Sequence, residues 1–424
     1  MSAASMCKFA RSVHRHRARL AACPALVSLA FAGGALAQSN QDAAGFFVRG
    51  QFTYDDNLFR LPSDTGTLGA PLPQDLETAD YVSRAVLGFA EQMHFGRQSL
   101  RVDLRADAVR FDRNDHLDHT AGRGRLAWNW RALGRLSGTL AADYRRGLAD
   151  FANVRTATEA ELFKDMLETV DYSGEARVAL GPRWALLGGL RRIETEHSAA
   201  QRRFDDFEAN TAHAGVEYTT PADHRVALEY RFTEAQFPNL AALEQASYRR
   251  EYEQSMLLAR TRYVATVRTA FDVEYGYTRR RHPDGTPGEF SGNTWRAQIE
   301  WEPRVKFGTT LAAWREIKAY ADAESDYFIS DGFSIEPAWS PVRSLTFSME
   351  LSWEELDFLG SNPLLVEDQG RADTLRSVQA NIVYSPRDHL RFDLSWRYIE
   401  RDSNRPRSIY DANVATAAVQ WRFL

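Results

Sequence analysis

Apolar and polar residues alternate one by one along most of the chain from residue 46 onward. The alternation is clearest over residues 100–108, 267–277, 345–353 and 390–398. In the first of these segments, leucine, valine and alanine occupy the even positions, and arginine and aspartate occupy the odd positions. A helix would scatter these charges over all its sides, whereas a strand gathers them on one face. The pattern therefore predicts a succession of β-strands, each with one apolar and one charged face.

Short connections between these strands alternate with long ones. Because Pro and Gly punctuate strands, short turns are predicted at Gly96, Gly134, Pro182, Pro221, Pro303, Pro341 and Pro386. The interval from 221 to 303 is about twice the others, so one further turn is predicted near Arg262 and Tyr263. Long, polar connections are predicted near 55–80, 111–121, 147–168, 193–206, 235–247, 279–291, 317–326, 356–373 and 400–411. Nine long and eight short connections separate 18 strands.

Short turns on one side and long loops on the other are typical of a transmembrane, antiparallel, up-and-down β-barrel in the outer membrane of a Gram-negative bacterium. An even strand count places both ends of the barrel with the short turns, in the periplasm. Aromatic residues would form two belts at the membrane surfaces. The periplasmic belt would hold Trp130, Trp184, Trp301, Trp339 and Trp421, and the outer belt Tyr144, Phe232, Tyr277, Trp295 and Tyr398. A soluble all-β repeat protein such as a propeller is the alternative, but its blades bury both faces.

The N-terminal segment has the layout of a secretory signal peptide. Basic residues precede an apolar run over residues 20–31, and Ala35-Leu36-Ala37 forms a small-x-small cleavage site. We therefore predict a signal peptide over 1–37, a short periplasmic segment over 38–45 and the barrel over 46–424. A helical anchor and a lipoprotein site at Cys23 are the weaker alternatives. Both cysteines, Cys7 and Cys23, lie in the predicted signal peptide, so the exported part has no thiol.

Charge and hydropathy exclude two classes of protein. The 424 residues carry a formal net charge of −5, which excludes a strongly basic nucleic-acid binder. The mean hydropathy of −0.45 excludes a protein with several membrane-spanning helices. A membrane barrel is compatible with both values, because its strands alternate polar and apolar residues.

In a barrel whose apolar faces meet lipid, the charged faces line the lumen. The candidate lining residues are Arg101, Arg105, Arg123, Arg125, Arg145, Arg177, Arg268, Asp272, Arg296 and Arg391. A wall of arginines and carboxylates can hydrogen-bond to hydroxyl groups and could carry a hydrophilic polymer. The alternative is that these charges pair with one another and only keep the interior wet.

Catalytic motifs are poorly represented. The chain has no Gly-x-Ser-x-Gly elbow, no glycine-rich phosphate loop and no His-Glu-x-x-His motif. The run Asp115-His116-Leu117-Asp118-His119 could hold zinc if ordered, although residues in such a loop are usually solvated. We predict no enzyme, no metal and no cofactor. A barrel enzyme with a Ser–His pair near the outer belt stays an alternative.

After the first predicted strand comes the motif Tyr54-Asp55-Asp56-Asn57-Leu58-Phe59-Arg60. Asp55, Asp56 and Asn57 are suited to capping a turn, and their carboxylates could instead bind calcium. The motif, together with the Ser-Pro turns at Ser340 and Ser385, resembles the EpsL-like family. These are outer-membrane β-barrels of exopolysaccharide operons, associated with exosortase systems, within a wider β-barrel porin group.

The resemblance implies a non-enzymatic role in exopolysaccharide export or assembly. The implied partners are outer-membrane lipid and lipopolysaccharide, exopolysaccharide and other export proteins, with no nucleic acid. The alternatives are a general or substrate-selective porin for small hydrophilic solutes, and an adhesion barrel whose long loops bind a partner. The chain ends Phe423-Leu424, whereas outer-membrane barrels usually end in an aromatic residue, which concerns membrane insertion more than the fold.

Overall fold

A computed structural model describes residues 44–62, 76–153, 163–239, 251–283, 289–319, 327–359 and 370–423. The predicted signal peptide lies outside the described residues, as does most of the predicted segment 38–45. The described residues form 18 strands and four short 3-10 helices. The strands are β1 Gly45–Asp55, β2 Asp80–Phe95, β3 Gln98–Phe111, β4 His119–Ala132, β5 Leu136–Leu148, β6 Met166–Ala179, β7 Trp184–His197, β8 Phe207–Thr219, β9 Arg225–Gln236, β10 Glu251–Thr266, β11 Thr269–Arg281, β12 Phe290–Arg304, β13 Phe307–Ala319, β14 Tyr327–Val342, β15 Leu345–Leu359, β16 Ala372–Arg387, β17 Leu390–Ser403 and β18 Tyr410–Arg422. The helices are Asp115–Leu117, Phe151–Asn153, Ala200–Asp205 and Pro406–Ser408.

Every strand pairs antiparallel with the next strand in the chain, and β18 pairs with β1, which closes the sheet. In the closing pair, residues from Phe47 to Asp55 face residues from Arg422 to Val414. The predicted up-and-down barrel of 18 strands is confirmed. A propeller, in which each blade is a separate sheet, is excluded. None of the helices in the described residues has the length and apolar character needed to cross a membrane.

The turn predicted near Arg262 and Tyr263 is wrong by about five residues. Arg262 and Tyr263 lie inside β10, paired with Asp272 and Phe271 of β11, and the chain turns at Val267 and Arg268 instead. Neither turn residue is a proline or a glycine, and this turn therefore has no composition signal. Apolar and polar residues keep alternating up to this turn, so the pattern gives no signal where β10 ends.

Three predicted proline turns lie two residues too early. Pro303, Pro341 and Pro386 belong to the last residues of β12, β14 and β16, and the turns follow at 305–306, 343–344 and 388–389. The pairing register slips around each proline. Proline has no N–H to donate to the ladder, so it is tolerated at such an irregular strand end.

One face of every strand points into the barrel, and contacts between distant strands identify that face. On β17, the side chain of Arg401 donates a hydrogen bond of 2.7 Å to the backbone carbonyl of Ala152, which follows β5. Strands β5 and β17 are not neighbours in the sheet, so this bond crosses the interior. Arg401 alternates in phase with Arg391, Asp393 and Arg397, and the register extends this phase to every strand. The charged faces therefore point inward.

The outward face is apolar, with exposed leucine, valine and aromatic side chains. Leu104, Leu190, Leu228 and Leu394 are each at least half exposed. The ten aromatic residues predicted for the two belts all alternate in phase with these outward residues. Trp184 and Trp339, near the short turns, are 52% and 50% exposed. This outward surface has the apolar band and flanking aromatic rings that a membrane barrel presents to lipid.

Candidate channel lining and extracellular mouth

Nine of the ten predicted lining residues lie on the inward strand faces. They are Arg101, Arg105, Arg123, Arg125, Arg145, Arg177, Asp272, Arg296 and Arg391. The tenth, Arg268, lies in the turn between β10 and β11, and its side chain donates a hydrogen bond of 2.9 Å to the carbonyl of Pro303. The structure therefore corrects the placement of Arg268. A turn near Arg262 would place Arg268 inside a strand, whereas the turn lies at Val267 and Arg268.

On the wall formed by β6 to β13, most inward charges pair across strands. Arg191 binds both carboxylate oxygens of Asp171, at 2.8 and 2.5 Å. The Glu229 side chain, which is 1% exposed, is an ion-pair partner of Arg260. Further pairs join Arg177 to Glu217, Arg262 to Asp272 and Glu300, and Arg296 to Glu316. This wall matches the interpretation in which lumen charges neutralise one another.

Strands β3 to β5 differ from the β6–β13 wall, because three inward arginines lie side by side on them. Arg105 on β3 faces Arg123 on β4, which faces Arg145 on β5. We call these three residues the arginine row. Arg105 is bound by Asp103 of its own strand, with Nε–Oδ1 at 3.0 Å. Arg123 and Arg145 form neither a hydrogen bond nor an ion pair with any residue that the structure describes, and both are exposed.

Carboxylates lie on the opposite wall. Glu336 on β14 and Glu350 on β15 fall opposite each other in the register that pairs Ile335 with Leu351 and Ala338 with Ser348. We call Glu336 and Glu350 the acidic pair. Strand β14 is nine strands from β5, which is half of the 18-strand ring. The arginine row and the acidic pair therefore lie on opposing walls.

At the extracellular end, apolar residues from three connections and from the end of β3 pack together inside the barrel. The connection after β1 contributes Phe59 and Leu61, the end of β3 contributes Val109 and Phe111, and Leu117 and Phe151 complete the set. We call these six residues the mouth cluster. All are at most 8% exposed, and the rings of Phe59 and Phe151 meet edge to face with centroids 4.9 Å apart. This cluster covers part of the entrance.

The Tyr54–Arg60 motif supports the mouth cluster. The backbone N–H of Asn57 donates the Asx-type hydrogen bond expected of a turn to Oδ1 of Asp55, at 3.0 Å. Arg60 has a positive φ of 55° and binds both carboxylate oxygens of Asp55, at 2.7 and 2.8 Å. Burial alone would lower the pKa of the Arg60 guanidinium, but its hydrogen bonds and charge interaction with Asp55 outweigh burial and raise it.

The same motif ties the first strand to the last. Both carboxylate oxygens of Asp56 accept hydrogen bonds from Asn413 on β18. Next to the motif, the rings of Tyr54 and Tyr81 are 5.0 Å apart. Since Arg60 and Asn413 engage both carboxylates, the turn interpretation explains the motif better than calcium binding does.

The proposed zinc run is also used structurally. Oδ1 of Asp118 accepts a hydrogen bond of 2.8 Å from the backbone N–H of Phe111, and Nδ1 of His119 lies 2.8 Å from the carbonyl of Leu117. Among the described residues there is no group of three or more His, Cys, Asp or Glu side chains placed to hold a metal.

One buried ion pair at the mouth was not predicted from the sequence. Arg401 on β17 and Asp373 on β16 are 2% exposed, and Nε of Arg401 lies 2.9 Å from Oδ2 of Asp373. Arg371 also binds this carboxylate, at 2.8 Å. The alternation assigned residue 401 to a long connection, because polar residues are frequent around it. Its contact with Ala152 depends on the path of the connection after β5, a strand that is not its neighbour in the sheet.

Comparison with known proteins identifies the class. The chain matches the family described as "Putative beta-barrel porin 2" over residues 197–423, which is more than half of its length. The protein is a porin-like β-barrel of the Gram-negative outer membrane. It belongs to this porin family, and the EpsL-like resemblance stays a prediction within it.

Several solved porins have a similar chain path. Pseudomonas aeruginosa OccK2 (OpdF), in complex with glucuronate, is 10% identical, with 90% of this chain and 98% of that chain covered and a TM-score of 0.49. Acinetobacter baumannii OccAB3 is 13% identical, with 90% and 99% covered and a TM-score of 0.45. Pseudomonas aeruginosa opdK is 12% identical, with 90% and 99% covered and a TM-score of 0.46. The comparison with curated proteins finds no match.

Proposed function

We propose that the protein is a non-enzymatic porin that lets small hydrophilic solutes cross the outer membrane. The observation that carries the proposal is the exposure of inward side chains. Arg123, Arg125, Arg145 and Glu175 point into a closed barrel and are nevertheless exposed. An apolar or filled interior would bury these side chains, whereas an aqueous space accounts for their exposure.

Strand number and the mouth cluster support a preference for small solutes. Barrels of 16 to 18 strands are wide enough to leave an aqueous channel. Phe59 and Phe151 meet inside the extracellular end, so part of that cross-section is occupied by protein. We infer that sugars and small ions pass and that long polymers pass poorly.

The test uses the purified barrel in liposomes and planar bilayers. We expect stepwise channel conductance in potassium chloride and rapid liposome swelling in glucose, with much slower swelling in an oligosaccharide of five or more sugars. Protein-free liposomes and heat-unfolded protein serve as controls. Absence of both conductance and glucose entry, with the folded barrel recovered from the same membranes, would overturn the proposal.

Exopolysaccharide export is the second candidate, and the specific observation behind it is the intact Tyr54–Arg60 motif. Its contacts with Asn413 and within the turn give the motif a structural role, which is compatible with either function. A clean deletion strain with plasmid rescue separates the two. Loss of secreted polymer that the plasmid restores would favour export, and unchanged polymer together with slower solute uptake would favour the porin.

A further inference from the structure

We propose that the arginine row of Arg105, Arg123 and Arg145 is a binding site for the carboxylate or phosphate group of a small hydrophilic solute. The inference rests on the proposed porin function, because the solute must reach the row through an aqueous lumen. It assigns the charge class of the solute and names the side chains that hold it.

The first argument is the register. Arg105, Arg123 and Arg145 occupy directly opposing positions on three adjacent strands. Side chains at such positions start about 5 Å apart, and like charges placed there repel each other. In a wall whose other arginines alternate with carboxylates, three arginines in line concentrate positive charge at one place.

The second argument is that Arg123 and Arg145 form no ion pair with a carboxylate of the described residues. Asp103 binds Arg105 at 3.0 Å, and Asp143, the nearest carboxylate on β5, is an ion-pair partner of Arg125 at 3.8 Å. Among the described residues, neither Arg123 nor Arg145 has a hydrogen-bond or ion-pair partner. By contrast, the inward arginines of β10, Arg260 and Arg262, are paired. Asp103 and Asp143 act on Arg123 only through their charge, so the guanidinium N–H groups of Arg123 and Arg145 can donate to an anion.

The third argument is access. The next inward positions toward the extracellular side are Ala121 on β4 and Gly147 on β5, which carry a methyl group and no side chain. The wall directly above Arg123 and Arg145, below the mouth cluster, therefore carries no bulky side chain. The planar guanidinium groups can then hold two oxygens of one carboxylate or phosphate, a geometry that lysine does not provide.

The position of the acidic pair also supports the binding of an anion at the arginine row. Glu336 lies seven residues before the turn at Arg343, and Arg105 lies eight residues after the turn at Arg97, so the two groups lie at similar depths. The arginine row attracts an anion at this depth, and Glu336 and Glu350 on the opposing wall do not compete for it.

The experiment compares wild type with R123Q/R145Q in planar bilayers and liposomes. We expect wild type to prefer chloride over potassium in a salt gradient and to take up acetate and phosphate. In R123Q/R145Q, we expect the anion-to-cation permeability ratio and the uptake of the bound anion to fall about fivefold, as expected for a lost charge contact in water. Glucose entry should not change. A fall confined to acetate identifies a carboxylate site, and a fall confined to phosphate identifies a phosphate site.

The matched control is R146Q, which changes the next residue of β5. Arg146 points outward, lies 4.0 Å from Glu168 and should leave selectivity unchanged. R123K/R145K keeps the charge and tests the double site if the glutamine variant does not assemble; it should keep chloride preference and lose most of the acetate or phosphate uptake. Unchanged selectivity and anion uptake in R123Q/R145Q, with glucose entry intact, would overturn the site but not the porin. No glucose entry in wild type would overturn the porin function itself.

Discussion

Arg401 donates a hydrogen bond of 2.7 Å to the carbonyl of Ala152, although the two residues belong to parts of the barrel wall that are separated by five strands. The same guanidinium is an ion-pair partner of Asp373. A buried ion pair on β16 and β17 therefore anchors the Phe151–Asn153 helix, which follows β5. This helix also contributes Phe151 to the mouth cluster.

Opening the mouth should raise conductance. Phe151→Ala removes the ring that packs on Phe59. Truncation of a buried phenylalanine lowers stability by about 3–5 kcal/mol. We expect the 149–153 segment to leave its inward position, so that single-channel conductance increases while the barrel itself stays folded. Conductance in planar bilayers and the heat dependence of gel mobility measure the two effects.

The control is Phe46→Ala, which also removes one ring from an aromatic pair. Phe46 lies on the outward face, with its ring centroid 4.8 Å from that of Phe89, and does not touch the mouth cluster. Its conductance should equal that of wild type. Equal conductance in all three proteins would show that the mouth cluster does not limit flow.

Breaking the Asp55–Arg60 pair should destabilise the entrance. Arg60→Ala leaves the Asp55 carboxylate, which is 6% exposed, without its bidentate partner. Loss of one member of a buried pair costs about 3–5 kcal/mol. We expect a lower unfolding temperature and earlier proteolysis near residue 60. Arg113→Ala, which breaks an exposed pair with Glu77, is the control and should behave like wild type. Comparable unfolding of both variants would contradict a special role for the motif.

The period-two pattern was enough to predict the barrel, its strand number and the inward position of residues such as Arg123 and Arg391. Each depends on alternation, which a strand converts directly into two faces. The pattern failed at Val267 and Arg268, because a turn without proline or glycine leaves alternation uninterrupted. It also placed the proline turns two residues early, since Pro303 and Pro386 end a strand and do not form the turn.

The site was less accessible to sequence reasoning. The arginine row depends on the register between β3, β4 and β5, and a slip of one residue would turn Arg123 toward lipid. The mouth cluster depends on the inward path of the connections that carry Phe59 and Phe151. Neither register nor path is encoded in local alternation, although an apolar residue such as Phe59 in a polar connection was a usable signal.

The buried pair of Glu229 and Arg260 should be important for barrel stability. Glu229 is 1% exposed, and its other charged neighbour, Arg231, is 4.0 Å away. Arg260→Ala leaves the buried carboxylate with only the more distant Arg231 as an ion-pair partner, and we expect the free energy of unfolding to fall by about 3 kcal/mol. Unfolding in urea, followed by tryptophan fluorescence, measures this loss. Arg192→Ala breaks an exposed pair on the outward face and should have little effect. Equal urea midpoints of unfolding for the two variants would show that the buried pair is no more important for stability than the exposed one.

Gly138 should be required because its position has no room for a side chain. Gly138 on β5 faces Trp130 on β4, and a Cβ at this glycine would collide with the indole ring and with the backbone carbonyl of Glu175. The carbonyl belongs to the β5–β6 ladder and cannot move without breaking hydrogen bonds. Gly138→Ala should therefore lower the free energy of unfolding by about 1–3 kcal/mol and reduce the folded fraction. Gly50→Ala is the matched control, since a Cβ there meets nothing within 4 Å. The folded fraction is measured by gel mobility before and after heating. If Gly138→Ala and Gly50→Ala assemble equally well, close packing by Trp130 does not constrain this strand pair.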